Sequence, residues 1–120
     1  MQIFISEKQV NHFIPGIYEN ANVLTITNAL HTYRFNIDSQ IDKVKDAIRD
    51  AISSIIYNKK KSTVMFSNND QQMHIGEYEI NKIKYVHIAI FKQDENNKLS
   101  SSGLDVNLTI QAAVKFVESF

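Results

Sequence analysis

Four histidines are the side chains of this sequence best suited to acid–base or metal chemistry near neutral pH. His12, His31, His74 and His87 are spread along the chain, and their spacing does not match the His-Glu-x-x-His type of metal site. Three of them fall in predicted strands, where a sheet could bring them together, but no carboxylates share their predicted faces. The pattern favours histidines held by structural hydrogen bonds over a metal site.

His87 stands out because it interrupts the apolar segment YVHIAIF, residues 85–91. In a strand, Tyr85, His87, Ala89 and Phe91 would share one face, and Val86, Ile88 and Ile90 the other. Both faces are largely apolar, which is typical of a central strand covered on both sides. We therefore expect His87 to point into a helix layer or a subunit contact.

Acid–base catalysis has one candidate constellation, His87 beside Tyr85 with Glu77 or Glu79 on the preceding strand. The competing interpretation is that both glutamates simply face solvent.

Other catalytic and cofactor classes have less support. The sequence has no cysteine, only three scattered glycines and no Gly-x-Ser-x-Gly elbow, and the segment SSSG at residues 100–103 is typical of a flexible loop. We predict no catalytic residues, no cofactor and no metal.

Ligand binding is better supported by five residues in predicted strands. They combine ring surfaces with hydrogen-bonding groups: His31, Tyr33, Arg34, Tyr85 and His87. Such a set suits a small anionic or planar ligand, or a protein interface, if the strands are adjacent. A planar guanidinium fits phosphate or carboxylate geometry better than an ammonium group does. The alternative is that the aromatic rings are core residues and that the arginine is merely solvated.

The overall composition limits the possible partners and compartments. The 120 residues predict one domain spanning 1–120, and 13 basic residues balance 13 acidic ones. A net charge of zero provides no general attraction to nucleic acid or to an anionic membrane. The first residues, MQIFISEKQV, do not resemble a signal peptide, and no segment has the length of a membrane span. Without cysteine, a cytoplasmic location is the simplest expectation.

The amphipathic segment at residues 39–58 is the strongest secondary-structure signal. Its isoleucines and Val44 recur at steps of three and four, which predicts a long helix with Ser39 as N-cap and Asp42 at the positive end of the dipole. Lys59, Lys60 and Lys61 follow, where they suit the C-terminal dipole; a phosphate-binding role is the alternative.

The remaining segments predict a sheet and two further helices. Strands are expected at residues 2–6, 22–27, 30–38, 62–67, 72–80 and 83–92. Asn81-Lys82 is expected to form a tight turn. A brief helix is predicted near residues 6–14, before the turn signal Pro15-Gly16, and a closing helix over 104–120 after a polar loop at 92–103. Leu104, Val106, Leu108 and Ile110 also alternate like a strand, but segment length favours the helix.

These elements predict an α+β domain with a five- to six-stranded, mainly antiparallel sheet, a long central helix and a C-terminal helix. Without the first strand, the order α-ββ-α-βββ-α resembles the roadblock, longin and profilin-like layout. The resemblance concerns element order alone and transfers no functional residue. It implies a domain that dimerises and serves as an interaction platform.

Two functions follow from this fold and the absence of catalytic motifs. The first is a non-catalytic, homo-oligomeric adaptor or inhibitor that binds protein through a sheet edge or through the strand around His87. The alternative is a protein that binds or sequesters a nucleotide-like or anionic small molecule, of the kind that small phage or bacterial accessory proteins provide.

Overall fold

The fold is known from a computed structural model, which describes residues 2–5, 23–27, 32–36, 40–59, 63–68, 70–96 and 98–118. Its elements are β1 (Gln2–Ile5), β2 (Val23–Thr27), β3 (Thr32–Asn36), α1 (Ile41–Ile56), β4 (Val64–Asn68), β5 (Gln71–Ile80), β6 (Ile83–Gln93), β7 (Leu99–Leu108) and α2 (Ile110–Glu118). The predicted α+β class is confirmed.

Five strands form the main sheet, in the order β1-β7-β6-β5-β4. Strands β4 to β7 pair antiparallel with their neighbours, and β1 joins β7 in parallel. The predicted central position of the strand that carries His87 is confirmed, because β6 is the third of the five. Strands β2 and β3 pair with each other in a separate two-stranded sheet. The roadblock-like order stays a prediction.

The hairpin between β5 and β6 is closed by the predicted two-residue turn. Asn81 and Lys82 both have positive φ, 52° and 66°, and Ile80 pairs with Ile83 across them. Two consecutive left-handed residues are the signature of a type I′ turn, whose twist matches that of the paired strands. This turn fixes the long register that extends to Gln71 and Lys92.

Helix α1 follows the predicted periodicity, but its start differs from the prediction. The N-cap is Gln40, which makes no side-chain capping bond, so the assignment of Ser39 as N-cap is wrong. Asp42 lies in the first turn as expected. At the other end, Asn58 has φ 51°, in the left-handed region that asparagine tolerates and in which helices commonly terminate.

The C-terminal part of the chain contradicts the sequence-based prediction. Residues 99–108, expected as a loop followed by a helix, form the strand β7, and α2 begins only at Ile110. Thr109 separates the two elements, and its Oγ1 accepts a hydrogen bond of 3.2 Å from the backbone N–H of Ala112. The alternation of Leu104, Val106 and Leu108 was therefore a true strand signal, reinforced by pairing with β6 and β1.

One hydrophobic core joins the helices to one side of the main sheet. We call this side the covered face; its buried residues are Phe66, Met73, Ile75, Val86, Ile88, Ile90, Val106 and Leu108. The helices contribute Val44, Ala47, Ile48, Ala51, Ala112, Ala113, Phe116 and Val117. Phe35 of β3 also belongs to this core and is 1% exposed.

Several predictions fall outside the described residues. They are the brief helix near residues 6–14, the Pro15-Gly16 turn, and the positions of His12, His31, Lys60 and Lys61. In the ranges that are described, neither helix is long and apolar enough to cross a membrane.

Candidate binding face

The side of the main sheet opposite the helices carries most of the residues with potential chemistry. We call it the open face; its members are Phe4, Met65, Gln72, His74, Tyr78, Tyr85, His87, Ala89, Phe91, Asp105 and Asn107. They alternate along the strands with the core residues, so the sheet pleat itself separates the two sets. The described helices pack on Val86, Ile88 and Ile90, so they do not form the helix layer expected over His87, and the alternative of a subunit contact stays a prediction.

His87 contacts two side chains of the adjacent strand β7. Its Nδ1 lies 2.8 Å from Oδ1 of Asn107, a distance suited to a hydrogen bond in which the amide oxygen accepts from the ring N–H. Its Nε2 lies 3.0 Å from Oδ1 of Asp105. Asn107 pairs directly with His87 in the strand register, while Asp105 is its diagonal neighbour. The hydrogen-bonding group sought for His87 is thus in the same chain.

Two polar atoms around His87 remain without a hydrogen bond among the described residues. Asn107 is fully buried, and its Nδ2 has no acceptor. Oδ1 of Asp105 is also shielded from solvent and lacks a hydrogen-bond partner, so its short contact with His87 is close without being aligned as a hydrogen bond. Unsatisfied buried polar atoms are costly, and they mark this cluster as the unusual part of the open face.

Aromatic rings flank this polar cluster on both sides. Tyr78 packs on His87 with ring centroids 5.5 Å apart, and Phe4 meets Tyr85 edge-to-face at 5.2 Å. Gly76 of β5 lies opposite His87 in the register and is buried. Since glycine has no side chain, the space above it is open to the neighbouring rings. The result is a surface of tyrosine, phenylalanine and histidine around Asp105.

His74 forms a second, smaller group on the same face. Its ring packs on Phe91 at 4.6 Å, and its Nε2 lies 3.2 Å from Oε1 of Gln72. Burial lowers the pKa of His74 below its usual 6.5, and the positive charge that His87 can carry lowers it further. His74 therefore favours the neutral form that packs well against an aromatic ring.

The proposed acid–base constellation is not assembled. Glu77 pairs with Val86 and lies on the covered face, on the opposite side of the sheet from His87. Its two carboxylate oxygens are shielded from solvent and lack hydrogen-bond partners among the described residues, so the expectation that it faces solvent is wrong. Glu79 is exposed, as expected. Neither glutamate can exchange a proton with His87 across the sheet.

Four of the five sequence-based candidates lie in described strands, and they are divided between two sheets. Tyr85 and His87 lie together on the open face of β6. Tyr33 and Arg34 belong to β3, which pairs only with β2 among the described strands. His31 falls outside the described residues. The sequence predicted one binding surface formed by all five residues on adjacent strands. Of these residues, the main sheet holds only Tyr85 and His87 among the described strands.

Asp105 and Asn107 were missed by the sequence reasoning because their segment was assigned to a helix. The alternation of Val106 and Leu108 with these two polar residues was the available signal. Read as a strand, it places both polar side chains on the face opposite the core.

The charge of the open face is distinctive. Among the described strand residues on this side, none is lysine or arginine, and Asp105 is the single carboxylate. No group of three or more histidine, aspartate or glutamate side chains in the described ranges could hold a metal ion. The arrangement can offer ring surfaces, the amide of Gln72 and one carboxylate to a partner, with little charge to desolvate.

No protein-family model matches this chain, and no curated protein matches it in sequence.

Proposed function

We propose that this chain is a cytoplasmic, non-catalytic binding domain whose open face contacts the surface of a partner protein. The observation that carries this proposal is the segregation of side chains in the main sheet. The covered face holds the core, and the other face presents aromatic, histidine and amide groups.

The composition of the open face supports a protein partner. Centres of protein interfaces are enriched in tyrosine, phenylalanine and methionine and depleted in lysine and aspartate. Phe4 is 40% exposed and Met65 is 64% exposed, so apolar groups of this face are accessible. A nucleic acid would instead need basic residues, which the described strand residues of this face lack.

The shape of the face also favours a protein. Five strands spaced about 4.8 Å apart make a broad surface, whereas small-molecule sites are usually concave and enclose most of the ligand. The core behind the sheet holds Tyr85 and His87 on a rigid strand, because the alternate residues Val86 and Ile88 are fully buried. Side chains held in this way lose little freedom on binding.

Site-specific photo-crosslinking tests this proposal. A photoreactive phenylalanine analogue replaces Tyr85 in one version of the full chain and Tyr57 in a matched control. Tyr57 is a suitable control because it is 70% exposed and lies at the end of α1, away from the open face. We expect a discrete protein adduct from position 85 in cells and none of the same mass from position 57.

Adducts of equal yield from both positions, or from position 57 alone, would contradict the proposal. Circular dichroism of both proteins establishes that the substitution leaves the fold intact, so that a missing adduct is informative.

A small planar ligand is a second candidate, favoured by the unsatisfied atoms beside His87. Nδ2 of Asn107 and Oδ1 of Asp105 both lack hydrogen-bond partners among the described residues, and the rings of Tyr78 and Tyr85 could stack on a ligand placed nearby. Native mass spectrometry of the purified chain would show such a ligand as added mass. A ligand lost in Asn107→Ala would favour this candidate, and a chain without added mass would argue against it.

A further inference from the structure

The strand β4 is an exposed edge with no neighbour on its outer side among the described elements. It ends the order of the main sheet, and it pairs only with β5. Val64 is 36% exposed and Met65 is 64% exposed. The sequence of the strand, VMFSN, contains no proline or charged residue, and these are the features with which proteins usually protect a sheet edge.

A groove of about 440 Å³ runs between this edge and helix α1. Its lining combines strand residues with one side of the helix: Gln40, Lys43, Asp46, Ala47, Asp50, Val64, Met65 and Phe66. The edge therefore offers two surfaces at once, backbone groups of β4 for strand pairing and a charged helix flank for side-chain contacts.

The charges of the helix flank are self-complementary. Lys43 and Asp50 are both exposed, and neither forms an ion pair with another described residue. Asp46 differs, since its carboxylate lies 3.6 Å from Arg49. A two-fold axis that passes beside α1, level with Asp46 and Ala47, would bring Lys43 of each copy opposite Asp50 of the other, giving two equivalent ion pairs.

Antiparallel pairing of two β4 strands obeys two-fold symmetry as well. An antiparallel contact of β4 with its own copy, centred on Phe66, would set Met65 opposite Ser67 of the second copy. The open faces of both copies would then lie on the same side of one continuous sheet of ten strands. The zero net charge of the chain adds no general repulsion between copies.

We infer that β4 and the Lys43–Asp50 flank of α1 form the interface of a symmetric homodimer. This surface shares Met65 with the open face, but the inference rests on the β4 edge and the α1 flank and does not depend on the function proposed above. It specifies a second copy of the chain as occupant because two-fold symmetry presents Asp50 to Lys43 and Lys43 to Asp50 in the same contact.

Exchanging the charges of Lys43 and Asp50 in the full chain tests the interface. The mass is measured by analytical ultracentrifugation at protein concentrations from 1 to 100 μM, a range of about two decades that covers the dissociation constants of weak dimers. We expect a dimer for the natural sequence. Lys43→Asp and Asp50→Lys should each weaken association at least tenfold, because each variant sets like charges face to face. The double variant Lys43→Asp/Asp50→Lys should restore it.

Matched controls carry the same charge changes away from the groove. Lys98→Asp and Glu95→Lys are exposed positions in the β6–β7 connection, and both variants should remain dimeric. Met65→Lys, a change at the exposed edge, should also give monomers. Circular dichroism checks the fold of every variant, and the helix-flank variants remain informative if Met65→Lys does not fold.

The inference would be overturned if the natural sequence stays monomeric at 100 μM, whether the β4 edge then binds an extended peptide or nothing. A dimer that survives Lys43→Asp, or that is lost equally in the controls, would also overturn it. A dimer lost in Tyr85→Ala but not in Met65→Lys would place the second copy on the open face. The other outcomes leave the crosslinking result expected from position 85 unchanged, whereas a second copy on the open face would appear there as an adduct of two copies of this chain.

Discussion

The two faces of the main sheet are built from alternate residues of the same strands, yet they are organised in opposite ways. On β6, the covered face holds Val86, Ile88 and Ile90, each at most 2% exposed. The open face holds Tyr85 and His87, whose contacts are specific pairs with Phe4, Tyr78, Asn107 and Asp105.

Under the proposed function, this difference separates stability from recognition. Apolar burial on one face stabilises the sheet, while the other face keeps polar atoms that the described residues do not satisfy. One residue crosses this division, since Glu77 is a carboxylate on the covered face. We therefore predict that substitutions on the covered face lower the free energy of unfolding more than those on the open face do. At Glu77 we predict the opposite sign, a gain in stability.

The largest effect is expected for Ile88→Ala. Its side chain is fully buried between the sheet and the helices, so truncation should lower the free energy of unfolding by about 2 to 5 kcal/mol. Urea denaturation measures the loss. The matched change on the open face, Tyr85→Ala, should cost less because its ring is already partly in water. Equal losses would break the division between the faces.

His87→Gln should have an intermediate effect. The change removes the contact with Oδ1 of Asn107, which then has no described partner for its buried amide. We expect the free energy of unfolding to fall by about 1 to 3 kcal/mol, the cost of a buried polar group left unpaired. His74→Gln is the control, and it should cost less. Unchanged stability together with lost binding would show that His87 acts in recognition alone.

Glu77→Leu should have a smaller effect of opposite sign. Both carboxylate oxygens of Glu77 are shielded and unpaired, so an apolar side chain of similar size should raise the free energy of unfolding by about 1 kcal/mol. Glu79→Leu is the matched control, two residues along the same strand, and should change stability by less than about 0.5 kcal/mol because Glu79 is exposed. Destabilisation by Glu77→Leu would instead indicate that the carboxylate is used.

The smallest effect concerns pH. Because burial lowers the pKa of folded His74 below its usual 6.5, the unfolded chain binds a proton there more readily than the folded chain does. The stability contributed by neutral His74 is present above pH 6.5 and is lost as the pH falls through the lowered value. Between pH 7.5 and 5, His74→Gln should therefore lose less stability in urea denaturation than the natural sequence. An identical pH dependence would contradict this.

The helix α1 and most strands could be predicted from the sequence because their signals are local. The periodicity of Val44 and Ile48, and the alternation along β6, report directly which side chains are buried. Strand β7 was missed for the opposite reason. Its serines at 100–102 have little strand preference, and its register with β6 shifts between Ile90 and Phe91, so pairing with distant strands determines its conformation.

The candidate site was predictable only in part, for the same physical reason. Tyr85 and His87 were found because their own strand carries a clear pattern. Their contacts with Asp105 and Asn107 are set by the β6–β7 register, which no local pattern reveals. The side of the sheet that the helices cover is likewise a long-range property, so the sequence predicted that His87 shares a face with Tyr85 but not that α1 and α2 leave this face uncovered.

The most direct test of the account is the affinity of the crosslinked partner, once purified, for three forms of the full chain. Isothermal titration calorimetry would compare the natural sequence with Tyr85→Ala and with Tyr57→Ala, which removes an equally large ring from an exposed site outside the open face. We predict that Tyr85→Ala weakens binding at least tenfold, about 1.4 kcal/mol, and that Tyr57→Ala leaves it unchanged. Loss of affinity in Tyr57→Ala, with Tyr85→Ala unaffected, would contradict the account.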